Sequence, residues 1–440
     1  MEASLFEDLA VPVSAKRPFG RQYAWVIVAV TFVALLASAG LRSAPGVLII
    51  PLTKAFGWPR SEISFAAAIG IFLYGLVGPF AAALMQTLGI KRTMLAGLAL
   101  MSGATALSLF MREPWQYVAA WGLLSGIGTG AVASVLGAAV VNRWFATNRG
   151  LVMGLLSAST ATGSLIFLPV IAWLAQHGGW QPVVIAVSAL TAVLVPVVWL
   201  LMAERPSDIG LTPYGSAEAV PPAPAGRAID SIALAFSALF RAARTPSFWM
   251  LFGTFFVCGL TTNGLVGTHL ISFCGDMGLP MVAAAGLLSL MGVFDLVGTT
   301  ASGWLTDRFD PRKLLFAYYG LRGLSLIALP FSAFDPVSLS VFAIFYGLDW
   351  IATVPPTLRL ANENFGERDA PVVFGWVLVG HQAGGAVAAF GAGFLRDLQG
   401  SYIDAFVIAG GFALVAAAAA LFIRRGPGAQ PVGLAVPEPA

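Results

Sequence analysis

The chain is short of charge. Only 10% of its 440 residues are Asp, Glu, Lys or Arg, while 58% are hydrophobic. A soluble domain carries about a quarter charged residues. The deficit excludes one at this length and leaves an integral membrane protein, in line with a mean hydropathy of +0.84. The net charge of +3 is too small for a nucleic-acid-binding face. Cysteine is nearly absent: Cys258 and Cys274 stand 16 positions apart in one apolar run. That spacing is about 24 Å along a helix, against a disulfide reach of roughly 7 Å, so both are expected to be packing residues. The sequence has no phosphate-binding glycine loop followed by lysine, no cluster spaced for a metal, and no loop long enough for a catalytic domain. No enzyme, cofactor or metal is expected. The N-terminus gives no cleavable signal, because its first apolar run is too long for one.

Apolar runs are what the chain has in abundance. Each crossing needs about 20 residues. Runs of that order lie near 24–50, 61–85, 93–111, 115–141, 149–174, 181–201, 247–271, 280–305, 313–331, 336–360, 370–396 and 402–423. The expected fold is an all-α membrane protein of twelve transmembrane helices. A six-helix half at 24–201 and a second at 247–423 are joined by a linker at 202–246, with tails at 1–23 and 424–440. The linker holds PPAPAG at 221–226 and then Ile229, Ile232, Phe236, Leu239 and Phe240 at helical spacing, the pattern of a helix on the membrane surface. Of 24 Lys and Arg, eighteen fall on the side of the linker and both termini, four on the other, and Arg42 and Arg322 fall inside spans. The bias predicts a cell-membrane protein with both termini cytoplasmic.

The halves echo each other. GPFAAALMQTLGIKRTMLAG from Gly78 and SGWLTDRFDPRKLLFAYYG from Ser302 are each a span, a tight basic turn and the next span. This arrangement resembles the major facilitator superfamily. Gly303, Asp307, Arg308 and the Arg312/Lys313 pair match the family's turn motif, a gating element, whereas Gln86 replaces the usual aspartate in the first half. The segments GLRSAPGVLIIPLTKAFGW, NRGLVMGLLSASTATGS, ERPSDIGLTPYG and FDLVGTTASG look like the monocarboxylate porter and oxalate/formate antiporter branch. The resemblance implies two pseudo-symmetric six-helix halves with a substrate site between them. It matches Arg42 to the branch's cation in span one and Asp295 to its aspartate in span eight. Thr299 stands where the branch often has a substrate-holding arginine, and His381 where the oxalate/formate members have lysine.

An ionisable group within a span costs a few kcal/mol, so it faces a cavity or a partner. Asp295, Arg322, Asp349 and His381 all fall near mid-membrane at 1.5 Å per residue. Arg322 is expected in a structural ion pair with Asp349 or Asp295, the sequence leaving open which. The spare carboxylate, taken as Asp295, becomes the proton-coupling group. Spans one to six contain no Asp or Glu, so Arg42 wants an anionic ligand; the competing reading is that it snorkels to the interface. Arg42, His381, Asn263 and Tyr74 are the expected substrate contacts. His269 is expected to be a solvated edge residue, Trp350 and Trp376 cavity aromatics, and Pro355–Pro356 a kink.

These readings converge on a monomeric secondary transporter with three kinds of partner: a small organic anion, protons and the bilayer. The leading expectation is proton-coupled movement of a monocarboxylate by alternating access. An exporter of amphipathic compounds, an organic anion exchanger and a non-transporting sensor are the alternatives. Substrate, direction and stoichiometry are not encoded legibly.

Overall fold

The computed structural model describes residues 22–216 and 228–426, so both tails beyond them and PPAPAG at 221–226 lie outside the described residues. Within it the chain is helical throughout, with one isolated bridge between Phe145 and Tyr214. Such an all-helical build follows from the solvent. In hydrocarbon every peptide group must be satisfied within its own segment, which a helix achieves.

Eleven of the described helices are long and apolar enough to cross a membrane. Spans 1 to 4 are Tyr23–Phe56, Arg60–Gly78 (continuing to Thr87), Ile90–Phe110 and Pro114–Trp144. Span 6 is Trp180–Leu201, and spans 7 to 9 are Pro246–Asp276, Met281–Arg308 and Pro311–Phe331. Spans 10 to 12 are Pro336–Gly366, Asp369–Gln399 and Ile403–Leu421. Span 5 is the 30-residue helix Arg149–Gly178, of which Ile166–Gly178 is apolar. It brings the set to the twelve expected.

The two halves repeat a specific bond. At the turn between spans 2 and 3, Arg143 from span 4 donates to Met85 O at 2.9 Å and pairs with Glu204. Glu204 also accepts from Ile90 N at 2.7 Å and Lys91 N at 2.9 Å, capping the otherwise bare start of span 3. In the second half Arg359 from span 10 donates to Thr306 O, the counterpart of Met85 O, and pairs with Glu363 at 3.2 Å. Asp310 takes over the cap there, accepting from Arg312 N at 3.0 Å. The Arg312 guanidinium bonded to its side chain holds the Asp310 carboxyl below its ordinary value. The stabilisation that this adds is present above the ordinary carboxylate pKa and fades as pH falls through the lowered one.

Gly89 shows how tight the first turn is. Its φ of 98° lies where side chains rarely go, and a Cβ there would stand 2.6 Å from Glu204 Oε2. Gly89→Ala is therefore expected to cost about 1–3 kcal/mol. A melting temperature of the purified protein equal to wild type would contradict this.

The segment ERPSDIGLTPYG has a structural role. Tyr214 N donates to Trp144 O at 2.8 Å and Ala146 N to Tyr214 O at 2.9 Å, while the Tyr214 ring meets Trp25 at 5.9 Å. It ties the exit of span 6 to span 1 and to the loop before span 5. The linker helix, Ala228–Ala242, keeps Phe240 of its apolar stripe exposed. It packs against spans 2 and 11. Trp376 donates to Ala235 O at 3.0 Å and meets the Phe236 ring at a tilt, 5.2 Å between centroids, and Arg241 pairs with Asp369 at 2.9 Å. Trp376 is thus spent on the linker helix, and not on a cavity. The side chains of Ile229 and Ile232 lie outside the described ones.

Candidate functional site

Between the halves lies a cavity of about 720 Å³. Charged contacts close it at the end opposite the linker. Arg60, the first residue of span 2, pairs with Asp276 of span 7 at 2.8 Å, and Arg396 of span 11 reaches the same carboxylate at 2.7 Å. Asp397 accepts from Arg60 N at 3.1 Å and Ser61 N at 2.8 Å, so a carboxylate of the second half caps a helix of the first. Beneath them His269 is fully buried, 2.6 Å from Ala389 O and 3.2 Å from the Tyr402 hydroxyl. The expectation of a solvated edge residue is corrected: Tyr402 and span 11 cover it. At the linker end Gln86, Asp307 and Arg308 are exposed, and a Cβ at Gly154 or Gly303 would meet nothing. Arg308 lies over the Trp304 ring at 4.1 Å, and Arg312 pairs with Asp310 at 2.7 Å. Arg308 and Arg312 are therefore engaged within their own turn.

The cavity wall gathers Arg42, Tyr74, Asn263, Asp295 and His381. Span 1 carries Arg42 inward, where its guanidinium covers the Tyr74 ring at 4.3 Å. No carboxylate pairs with it among the described residues, and it forms part of the cavity wall. Asn263 sits where span 7 widens to a π-turn, Leu260–Val266, a distortion frequent at functional positions. The widening puts Gly264 against the backbone of span 11 at Gly385, a fit that no larger residue allows. His381 lies on the Phe255 ring, 4.9 Å between centroids, beside Cys258. Asp295 is buried and accepts from Thr299 Oγ1 and from Ile351 N, both at 3.0 Å. The branch's usual arginine position thus holds a hydroxyl that serves the carboxylate.

Arg322 has no such freedom. It is wholly buried behind the wall, with Nε on Asp349 Oδ2 at 2.5 Å and Nη2 on Asp349 O at 2.5 Å. Nη1 reaches Cys258 Sγ at 3.1 Å and Thr261 Oγ1 at 3.4 Å. Of the two carboxylates the sequence offered, Arg322 takes Asp349. Cys258 packs in the core of the second half as expected, and in addition it borders the cavity and its sulfur accepts from the guanidinium. Sequence reasoning also missed the Arg60, Asp276, Arg396 and Asp397 cluster. Its one signal was four charges at the same ends of spans 2, 7 and 11.

In comparison with known proteins, the family model of the Major Facilitator Superfamily matches residues 30–389. Monocarboxylate transporter 13 of Bos taurus is 28% identical over 394 residues, covering 89% of this chain and 87% of that protein. The gallate transporter of Pseudomonas putida is 26% identical and covers 70% of this chain and 71% of its own length. Among solved structures, a bacterial homolog of the human lysosomal transporter Spinster, in an inward-facing and occupied conformation, superposes with a TM-score of 0.72. It is 13% identical and covers 91% of this chain and 97% of that one, a likeness of fold.

Proposed function

From the premise that the chain belongs to the major facilitator superfamily and is a membrane transporter, we propose that it carries a monocarboxylate with a proton by alternating access. The observation that carries this reading is Arg42, a cation without a carboxylate partner among the described residues, held over Tyr74 in the wall of the central cavity. An anion would complete it, and a carboxylate matches the fork of a guanidinium in two parallel bonds. His381 and Asn263 stand on the opposite half, placed to contact the rest of the ligand. Asp295 has a cavity position, two donors and no ion pair among the described residues, which suits a group that gains and loses a proton. The relatives named as monocarboxylate and gallate transporters support the substrate class. The excess of lysine and arginine supports a linker end in the cytoplasm of a multi-pass cell-membrane protein, with both termini on that side. The cavity then faces inward. The domain division at 24–201, 202–246 and 247–423 belongs to the same reading, as does a working monomer.

The test is uptake of labelled short and aromatic monocarboxylates into proteoliposomes under an imposed pH gradient. Wild type accumulates substrate when the outside is acidic. Asp295→Asn is expected to bind substrate yet show no pH-driven accumulation; accumulation at the wild-type level removes the proton role. A second reading, export of amphipathic compounds, draws on the wide apolar wall that includes Trp121, Phe255 and Trp350. It predicts that an Arg42→Ala variant keeps its transport.

A further inference from the structure

Span 10 is broken at mid-membrane. Its first helix ends at Asp349, four turn residues follow, and helix resumes at Val354 ahead of Pro355 and Pro356. The two prolines lack the N–H groups that would bond Ile351 O and Ala352 O. Every polar group so freed that the surroundings reach has a specific substitute. Val354 N turns back to Ile351 O at 2.9 Å, and Ser302 Oγ of span 8 donates to Ala352 O at 2.5 Å. Trp350 N takes Gly347 O at 3.1 Å, which leaves Ile351 N to be accepted by Asp295 Oδ1 at 3.0 Å. Arg322 supplies Asp349 O at 2.5 Å and Trp350 O at 3.3 Å. One buried charge of each sign thus stands in for the missing helix bonds. The break also forms cavity wall, through Trp350, Ile351 and Val354. Just before it, Gly347 lets span 10 touch span 8, since a Cβ there would meet Met291 O at 2.6 Å.

We propose that the broken segment 349–353 is where proton and substrate meet: Asp295 holds it through Ile351 N–H, Ser302 positions it through Ala352 O, and loss of the carboxylate charge releases it. The inference rests on the reading of Asp295 as the coupling group. A charged acceptor makes a bond roughly twice as strong as a neutral one, so protonation loosens the Ile351 N–H without breaking a covalent or ionic link. The groups facing Asp295 are few. Span 9 brings Arg322, span 10 Asp349 and span 7 Cys258, while Arg42 and His381 share the cavity. Among the described residues, span 5 contributes only uncharged ones to the cavity wall, Gly154, Ser157, Ala158 and Leu168. Arg322 is fixed on Asp349 and on the carbonyls, so the charge free to change without dismantling the core is that of Asp295.

The experiment is amide hydrogen exchange, read by mass spectrometry on the segment spanning Ile351, with full-length protein in nanodiscs at one pH. In Asp295→Asn, exchange there is expected to rise about fivefold, while segments of spans 3 and 6 stay unchanged. Ser302→Ala, which alters neither the cavity wall nor a charge, is expected to raise the same exchange. It should also slow maximal uptake with the half-saturating substrate concentration unchanged. If Asp295→Asn loses pH-driven uptake while exchange at Ile351 stays at the wild-type rate, the segment is not the relay and the coupling role of Asp295 survives. If pH-driven uptake persists in Asp295→Asn, the coupling role fails and the relay with it. Should the Asn variant not fold, Ser302→Ala alone decides, and unchanged exchange and uptake overturn the proposal.

Discussion

Uptake of a monocarboxylate by an Arg42→Ala variant is expected to fall about a hundredfold at subsaturating substrate, and Arg42→Lys to recover only part of it. A charge-assisted, two-pronged bond contributes about 3 kcal/mol, and each 1.4 kcal/mol is a factor of ten. No carboxylate among the described residues competes for the guanidinium, so nothing within the protein offsets the loss. Lysine restores the charge but neither the fork nor the planar guanidinium held 4.3 Å from the Tyr74 ring centre. The variant should fold, because the lost contact faces the cavity and is not a core bond. The check is initial uptake in proteoliposomes beside a melting curve of the same preparation. Wild-type uptake of every carboxylate tried by a folded Arg42→Ala protein would transfer the substrate role elsewhere and favour the amphipathic exporter.

The parts legible in the sequence are those that the bilayer itself dictates. Apolar runs, basic turns and lone charges are each forced by the cost of exposing polar groups to hydrocarbon, and that cost acts residue by residue. The spans, the second-half turn from Gly303 to Arg312 and the attention drawn to Arg42 and Asp295 therefore needed no three-dimensional information. Partner choice needed it. Asp295 and Asp349 are equivalent to Arg322 along the chain, and only the packing of spans 9 and 10 puts Asp349 within 2.5 Å. Depth along the span alone points to an edge position for His269, whereas span 11 and Tyr402 enclose it. Trp376 looks like a cavity aromatic in the sequence because the linker helix that claims its indole lies more than a hundred positions away, at Ala235. Pro355–Pro356 announced a kink, but not that Ser302, Asp295 and Arg322 from two other spans would fill its bonds.

The same bonds make Arg322 expensive to remove. An Arg322→Met variant is expected to lose about 3–5 kcal/mol, the usual cost of leaving one partner of a buried ion pair uncompensated. The Asp349 carboxylate would remain in a site with no exposure around its partner, and its Oδ1 already lacks a hydrogen-bond partner with arginine present. Removing both charges tests the cause. In Arg322→Met/Asp349→Leu the stranded anion is gone, and if charge burial dominates, much of the stability should return, as it does when buried pairs are replaced by apolar residues of similar volume. Recovery should still stop short of wild type, because Asp349 O and Trp350 O keep no donor in place of the guanidinium. Melting temperatures of the two variants and wild type in one detergent give the comparison. A single variant as stable as wild type would mean that water reaches the pair, and a double variant no better than the single would assign the cost to the bare carbonyls of span 10.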